Sequence, residues 1–371
     1  MVVGMSSWEL YVTDRTGTRQ AAVDPYEKAE IIGRVNDVST WQLTLPTATE
    51  AGQIFSVDTF ARLEIVLDAE VWRSGPVSHL ERTVDIDGDH LQISGVDDTV
   101  WLQRRNAHPQ PGTAAPPYSS SAYDVRTGAM STVLAELVSR NAGPAATTSR
   151  RVPGLVVPPP APVGPTTTVA ARWQNLLTLM QDTARPAGLI FDIRELAFEA
   201  YEATDRGAIF SAGLETLAAW KMTTEAPKAN FVAVAGQGEG TARLIREMAD
   251  TTSWNTWGLA ESFQDRRDTA DIAELDKSAA EALAAGVTPV TVVFTPLDTE
   301  AQAFGRDWAL GDLVTVKAGG LTVHDQVREV HVTLDTAGAT VIPSVGAPAG
   351  DLALFRSLAG LDRRVRQLER I

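Results

Sequence analysis

WRSGPVSHLERTVDIDGDHLQISGVD, residues 72–97, decides the fold. Val84 and Ile86 lead into Asp87-Gly88, and Leu91 and Ile93 follow on the far side. Asp-Gly between two alternating runs marks a β-hairpin, because both turn residues tolerate positive φ. Just upstream, Leu63, Ile65 and Leu67 alternate with Glu64, Val66 and Asp68, which reads as one mostly apolar strand. Further strands are expected at residues 8–12, 30–35 and 41–45. Short strands at this density predict a small barrel or sandwich rather than a doubly wound sheet.

Beyond residue 106 the pattern changes. Met130, Val133, Leu134, Leu137 and Val138 have helical spacing, stopped by Asn141 to Gly143. Residues 150–168 contain Pro158, Pro159, Pro160, Pro162 and Pro165, so they form an extended loop. Val169, Trp173, Leu176, Leu177, Met180 and Ala184 predict an amphipathic helix ended by Pro186 and Gly188. A hairpin around Arg194-Glu195 joins residues 189–193 to 197–201.

The third region returns to β. A strand at 231–235 runs into Gly236, Gly238 and Gly240, and Ile272, Leu275, Ala279 and Leu283 mark an inserted helix. Strands follow at 290–294, 313–316, 321–323 and 327–334, with Gly319-Gly320 as a turn. The class is β-rich α+β, divided at 1–106, 107–230, 231–346 and 347–371.

After Val341-Ile342 the chain passes through a small-residue hinge, SVGAPAG, and continues as DLALFRSLAGLDRRVRQLERI, residues 351–371. Leu354, Leu358, Leu361, Val365 and Leu368 recur at alternating intervals of four and three, a heptad seam suited to a partner helix. Arg364 falls at g and Glu369 at the next e, where neighbouring helices pair opposite charges. Leucine at both a and d does not select the number of strands. The competing expectation is that the helix folds back on its own body.

Composition narrows the function. The 371 residues suffice for two or three domains. Their apolar runs fall short of the roughly 20 residues of a membrane span, and no basic flank with an apolar stretch marks a secretory signal. With 0 cysteines there are no disulfides or thiolate metal sites. A net charge of −15 argues against general nucleic-acid binding, yet suits a wall past which DNA slides without sticking.

Catalytic patterns are missing. Gly236-Gln-Gly-Glu-Gly240 departs from the dinucleotide fingerprint, its third glycine arriving one residue early. A turn between antiparallel strands is expected there. His79, His90, His108, His324 and His331 lack metal-ligand spacing. The expectation is no enzyme, with no catalytic, cofactor-binding or metal-binding residues. Of the 9 tryptophans, Trp254 and Trp257 are hardest to place in a core and are candidate glycan contacts.

Several segments together resemble the tail-hub or baseplate-hub family of tailed bacteriophages, and most of all the minor tail proteins of actinobacterial siphophages. Trp72-Arg-Ser-Gly-Pro-Val77 with Ser94-Gly-Val-Asp97 is similar to that family's first barrel. Residues 172–194, a helix running into Gly-Leu-Ile-Phe-Asp, resemble its middle domain. Glu261-Ser-Phe-Gln-Asp-Arg-Arg-Asp268 and the helix after it fit as well. Trp308-Ala-Leu-Gly-Asp-Leu-Val-Thr-Val316 looks like the start of the second barrel.

The resemblance implies two small antiparallel β-barrels around an α/β middle domain, closed by a C-terminal coiled coil. It implies a homotrimer whose barrels form a pseudo-sixfold ring at the virion tail tip, assembled in the host cytoplasm. A distal tail protein and the tail tube would sit above, tip or spike proteins below. DNA would cross the lumen without specific binding, and the host envelope is a further expected contact. The lytic domain that enzymatic members append is not expected here. The alternatives are a carbohydrate-binding adhesin and a peptidoglycan hydrolase.

Overall fold

The computed structural model describes residues 7–58, 60–86, 88–113, 121–287, 290–296 and 302–346. Two compact units divide the chain: one runs to Trp220 and resumes at Val293, and the other is Lys221–Val292.

In the first unit, β1 (Trp8–Thr13), β2 (Arg19–Ala22), β3 (Lys28–Arg34) and β4 (Thr40–Pro46) precede helix α1 (Glu50–Val57). Then come β5 (Arg62–Leu67), β6 (Glu70–Asp85), β7 (Gly88–Val96) and the short helix α2 (Val100–Gln103). The middle is β8 (Asp124–Ala129), α3 (Met130–Asn141), β9 (Thr166–Ala171), α4 (Leu176–Ala184), β10 (Leu189–Arg194) and β11 (Ala197–Glu202). β12 (Asp205–Ser211) and β13 (Leu217–Thr224) lead out of this unit.

The second unit holds β14 (Phe231–Ala235), β15 (Ile245–Ala249), α5 (Thr251–Trp257), β16 (Glu261–Asp265) and α6 (Ile272–Ala285). The chain returns along β17 (Val290–Pro296), and β18 (Leu313–Ala318), β19 (Leu321–Asp335) and β20 (Gly338–Gly346) complete the first unit.

The hairpin expected from residues 72–97 is β6–β7, paired from Val77↔Gly95 to Asp85↔Gly88. Its two glycines are required by close approach. A Cβ on Gly75 would lie 2.0 Å from the Val96 carbonyl oxygen, and one on Gly95 would lie 2.0 Å from Cζ2 of Trp41. Alternation in β4 turns Trp41, Leu43 and Leu45 inward, whereas all of β5 is buried, its charges included.

A 13-stranded sheet runs in the order β13-β17-β20-β19-β3-β4-β7-β6-β5-β1-β2, with β18 and β12 branching from β19. The early and late β regions meet where β19 pairs antiparallel with β3, from Glu329↔Arg34 to Asp335↔Lys28. The resemblance implies antiparallel barrels, but β14 runs parallel to β16 within the expected second barrel, and β12 runs parallel to β18. Neither parallel pair joins strands that follow each other in the chain, and only consecutive strands linked by short turns are forced antiparallel.

The middle segment packs α3 and α4 with the β10–β11 hairpin around Leu134, Leu137, Met180, Phe191 and Phe198. Its second helix is shorter than the spacing predicts. Val169 lies in β9, paired with Arg126 of β8, and Asn175 caps the helix by accepting from the Thr178 amide at 3.3 Å. Trp173 therefore precedes the helix, at φ 66°, with its ring edge-on to His108. Sheet pairing captured a run whose apolar spacing is helical. Residues 151–165 lie outside helices and strands, as expected, but the last part of the expected loop, 166–168, is taken into β9.

Candidate functional site

A buried ionic knot is the most unusual grouping of side chains in the first unit. Arg62 of β5 donates to Asp98 at 2.6 Å, and Ser74 of β6 donates to the same carboxylate at 2.6 Å. The Trp101 indole reaches its other oxygen at 3.2 Å. Arg73 donates to Asp192 of β10 at 2.8 Å and faces Asp97 at 3.8 Å. All five charged groups are buried.

Three carboxylates thus share the interior with two guanidiniums, while half-buried Arg194 stands 3.8 Å from Asp192. Burial, opposed by the Arg73 guanidinium and reinforced by the Asp192 and Asp98 carboxylates, pushes the Asp97 carboxyl up to about 7. The β10–β11 turn is fastened to this knot, since the Glu195 amide donates to the Ser74 hydroxyl at 3.1 Å. That two-residue turn holds Glu195 and Leu196 at φ 49° and 59°, so a fixed partner there matters.

Beside the knot lies a cleft of about 520 Å³ lined by Arg73, Asp192, Arg194, Tyr201, Arg206 and Asp312 and bordered by Pro158, Pro159 and Pro160. Its charges are matched internally: Arg194 pairs with Glu199, and Arg206 lies 2.9 Å from Asp312. Burial beside Asp192 raises the Tyr201 phenol to about 12. This arrangement binds elements of one unit together. It presents no paired nucleophile and base.

The residues singled out from sequence fall in different places. Leu354, Leu358, Leu361, Val365, Leu368, Arg364 and Glu369 lie outside the described residues. Gly236 to Gly240 form the connection between antiparallel β14 and β15, as expected. Trp254 and Trp257 project from α5 at 39% and 45% exposure. Among the described residues no cluster of His, Asp or Glu is arranged to hold a metal ion.

Residues 9–347 match the model of the Siphovirus ReqiPepy6 Gp37-like protein family. The chain belongs to that family. No curated protein matches it. Among solved structures it is similar to a tail protein from Neisseria meningitidis MC58, at 13% identity and TM-score 0.60, covering 92% of this chain and 97% of that one. It is similar to the 43 kDa tail protein of prophage MuSo2 from Shewanella oneidensis, at 12% identity and TM-score 0.61, covering 91% and 98%. A third is prophage tail protein gp18 from Listeria monocytogenes EGD-e, at 10% identity and TM-score 0.56, covering 96% and 99%. The chain thus has a β-rich fold shared with these phage tail proteins.

Sequence reading passed over Arg62, Arg73, Asp98 and Asp192 as site residues. A signal was present: each of RLEIVL, VWRSGPV and LIFDIR places a charge inside an apolar strand. A charge in such a run must find a buried partner.

Proposed function

We infer that the chain is a structural hub of a siphophage tail tip. The observation that carries this reading is the tail-protein fold, shared over nearly the whole length of both chains in each comparison. Two small barrels, 1–106 and 231–346, would flank the middle domain 107–230, and the 347–371 segment would supply the central bundle. Three copies would form a pseudo-sixfold ring between tail tube and tip. The heptad seam Leu354, Leu358, Leu361, Val365 and Leu368 would clasp the copies, with Arg364 and Glu369 paired across helices.

The ring would meet a distal tail protein above and tip or spike proteins below, and would conduct DNA during ejection. It would be assembled in the host cytoplasm and act without catalysis. The net charge of −15 supports passage of DNA without capture. Native mass measurement of the purified full chain tests the reading. A trimer that dissociates on Leu361→Asp, with the β body intact, is expected. A monomer at high concentration would overturn it.

A second reading, adhesion to host glycans through Trp254 and Trp257, is favoured by the exposure of both indoles. Cell-wall pull-down lost in the double alanine variant would support it.

A further inference from the structure

The second unit has one covered face and one open face. Helix α6 packs Leu275 and Ala279 onto Val232 and Val234 of β14. Strand alternation sends Phe231 and Ala233 to the other side. The register aligns Glu247, Ala233 and Phe263 in one row, and Ala249, Phe231 and Glu261 in the next. On this face Ile245, Glu247 and Ala249 of β15 and Glu261, Phe263 and Asp265 of β16 are exposed, whereas Phe231 and Ala233 of β14 are half-buried and Ala235 is buried.

This open face is apolar along its central strand, and its two outer strands mix exposed apolar side chains with acidic ones. Phe263 is 61% exposed and Ile245 52%. Trp254 extends the apolar strip, its ring edge-on to Phe231 at 6.2 Å. Glu247 and Glu261 flank the strip and enter no ion pair among the described residues. At one end the face already holds a cation of its own. The Arg243 guanidinium pairs with Asp265 and lies over the Phe263 ring at 6.0 Å. An arginine laid on an aromatic ring beside a carboxylate is therefore the chemistry this surface accommodates.

We propose that the open face of the β14–β16 sheet docks a polypeptide segment of another tail protein, one that presents arginine or lysine beside apolar side chains. Its cations meet Glu247 and Glu261, and its apolar side chains cover Phe263, Phe231 and Ile245. A neutral glycan would leave both carboxylates without counter-charge. A second copy of this chain meeting it face to face would set the same Glu247 and Glu261 against these carboxylates.

The proposal rests on the tail reading, so its test begins by detecting the chain in purified particles by mass spectrometry; its absence there removes that reading first. A photo-crosslinking amino acid then replaces Phe263 in assembled particles, and a second preparation carries it at Lys277 on α6. The expected product at 263 is a peptide of another tail protein containing arginine or lysine next to apolar residues, lost at least tenfold in the Glu247→Lys, Glu261→Lys variant. That variant must still enter particles. Crosslinks only to residues 351–371, only to a second copy or only to glycan, or a product of equal yield at 277, would overturn the proposal, as would failure of any polypeptide to crosslink at 263.

Discussion

The first unit and the second solve the problem of charge in opposite ways. In the first, Arg62, Arg73, Asp97, Asp98 and Asp192 are taken out of water and locked to one another between strands far apart in sequence. In the second, Arg246 with Asp276 and Arg266 with Asp268 pair at the surface, where such bridges contribute about 0–1 kcal/mol. Buried pairs punish any change and so fix a geometry; surface pairs tolerate replacement. One region is built to hold its shape, and the other leaves a face open for contact.

The largest expected effect tests the locked side. Arg62→Met leaves Asp98 buried beside neutral donors only and should cost about 3–5 kcal/mol, read from urea unfolding. A loss below 1 kcal/mol would show that the knot is not what fixes the first unit. Gly75→Ala forces a Cβ onto the Val96 carbonyl and should cost about 3 kcal/mol in the same assay. Leu275→Ala, under α6, should cost about 2–3 kcal/mol but only to the second unit. Hydrogen exchange should quicken in β14–β16 while β5–β7 stays protected. Equal quickening in both would erase the contrast.

A pH titration sharpens it further. With the Asp97 carboxyl at about 7 when folded and near 3.8 when unfolded, the folded chain binds the extra proton between those values. Stability contributed at this site is therefore highest below about pH 4, falls as pH rises to about 7 and is flat beyond. Asp97→Asn should remove that slope and gain stability at pH 8, whereas an unchanged slope would assign the proton elsewhere. The smallest effect belongs to the open face: Phe263→Ser should alter stability by no more than about 0.5 kcal/mol. A larger loss would mean that the ring is part of a core.

Much of the frame was legible because it depends on local signals. Asp87-Gly88 and Gly319-Gly320 announced hairpins, the prolines of 158–160 announced a loop, and the spacing of Leu275 and Ala279 announced α6. What stayed hidden depends on partners far away in the chain. Arg73 pairs with Asp192 across 119 positions, and nothing local to either residue names the other. The apolar run from Val169 to Ala184 misled for a related reason, since its first part is claimed by β8. The open face of the second unit was half visible: Trp254 stood out as hard to bury, but Phe263 joins it only through the parallel pairing of β14 with β16.

The joint between β3 and β19 also sets a clock. Arg34 and Glu329 are 295 positions apart, so β3 is synthesised long before its neighbour exists. At about 5–20 residues per second, that wait is roughly 15–60 s on the ribosome. During it one edge of β3 is an unclaimed row of amides and carbonyls, the kind of surface that recruits other nascent chains. Completion of this sheet is a late event in biosynthesis, and a chain released before β19 emerges is the form most prone to aggregate.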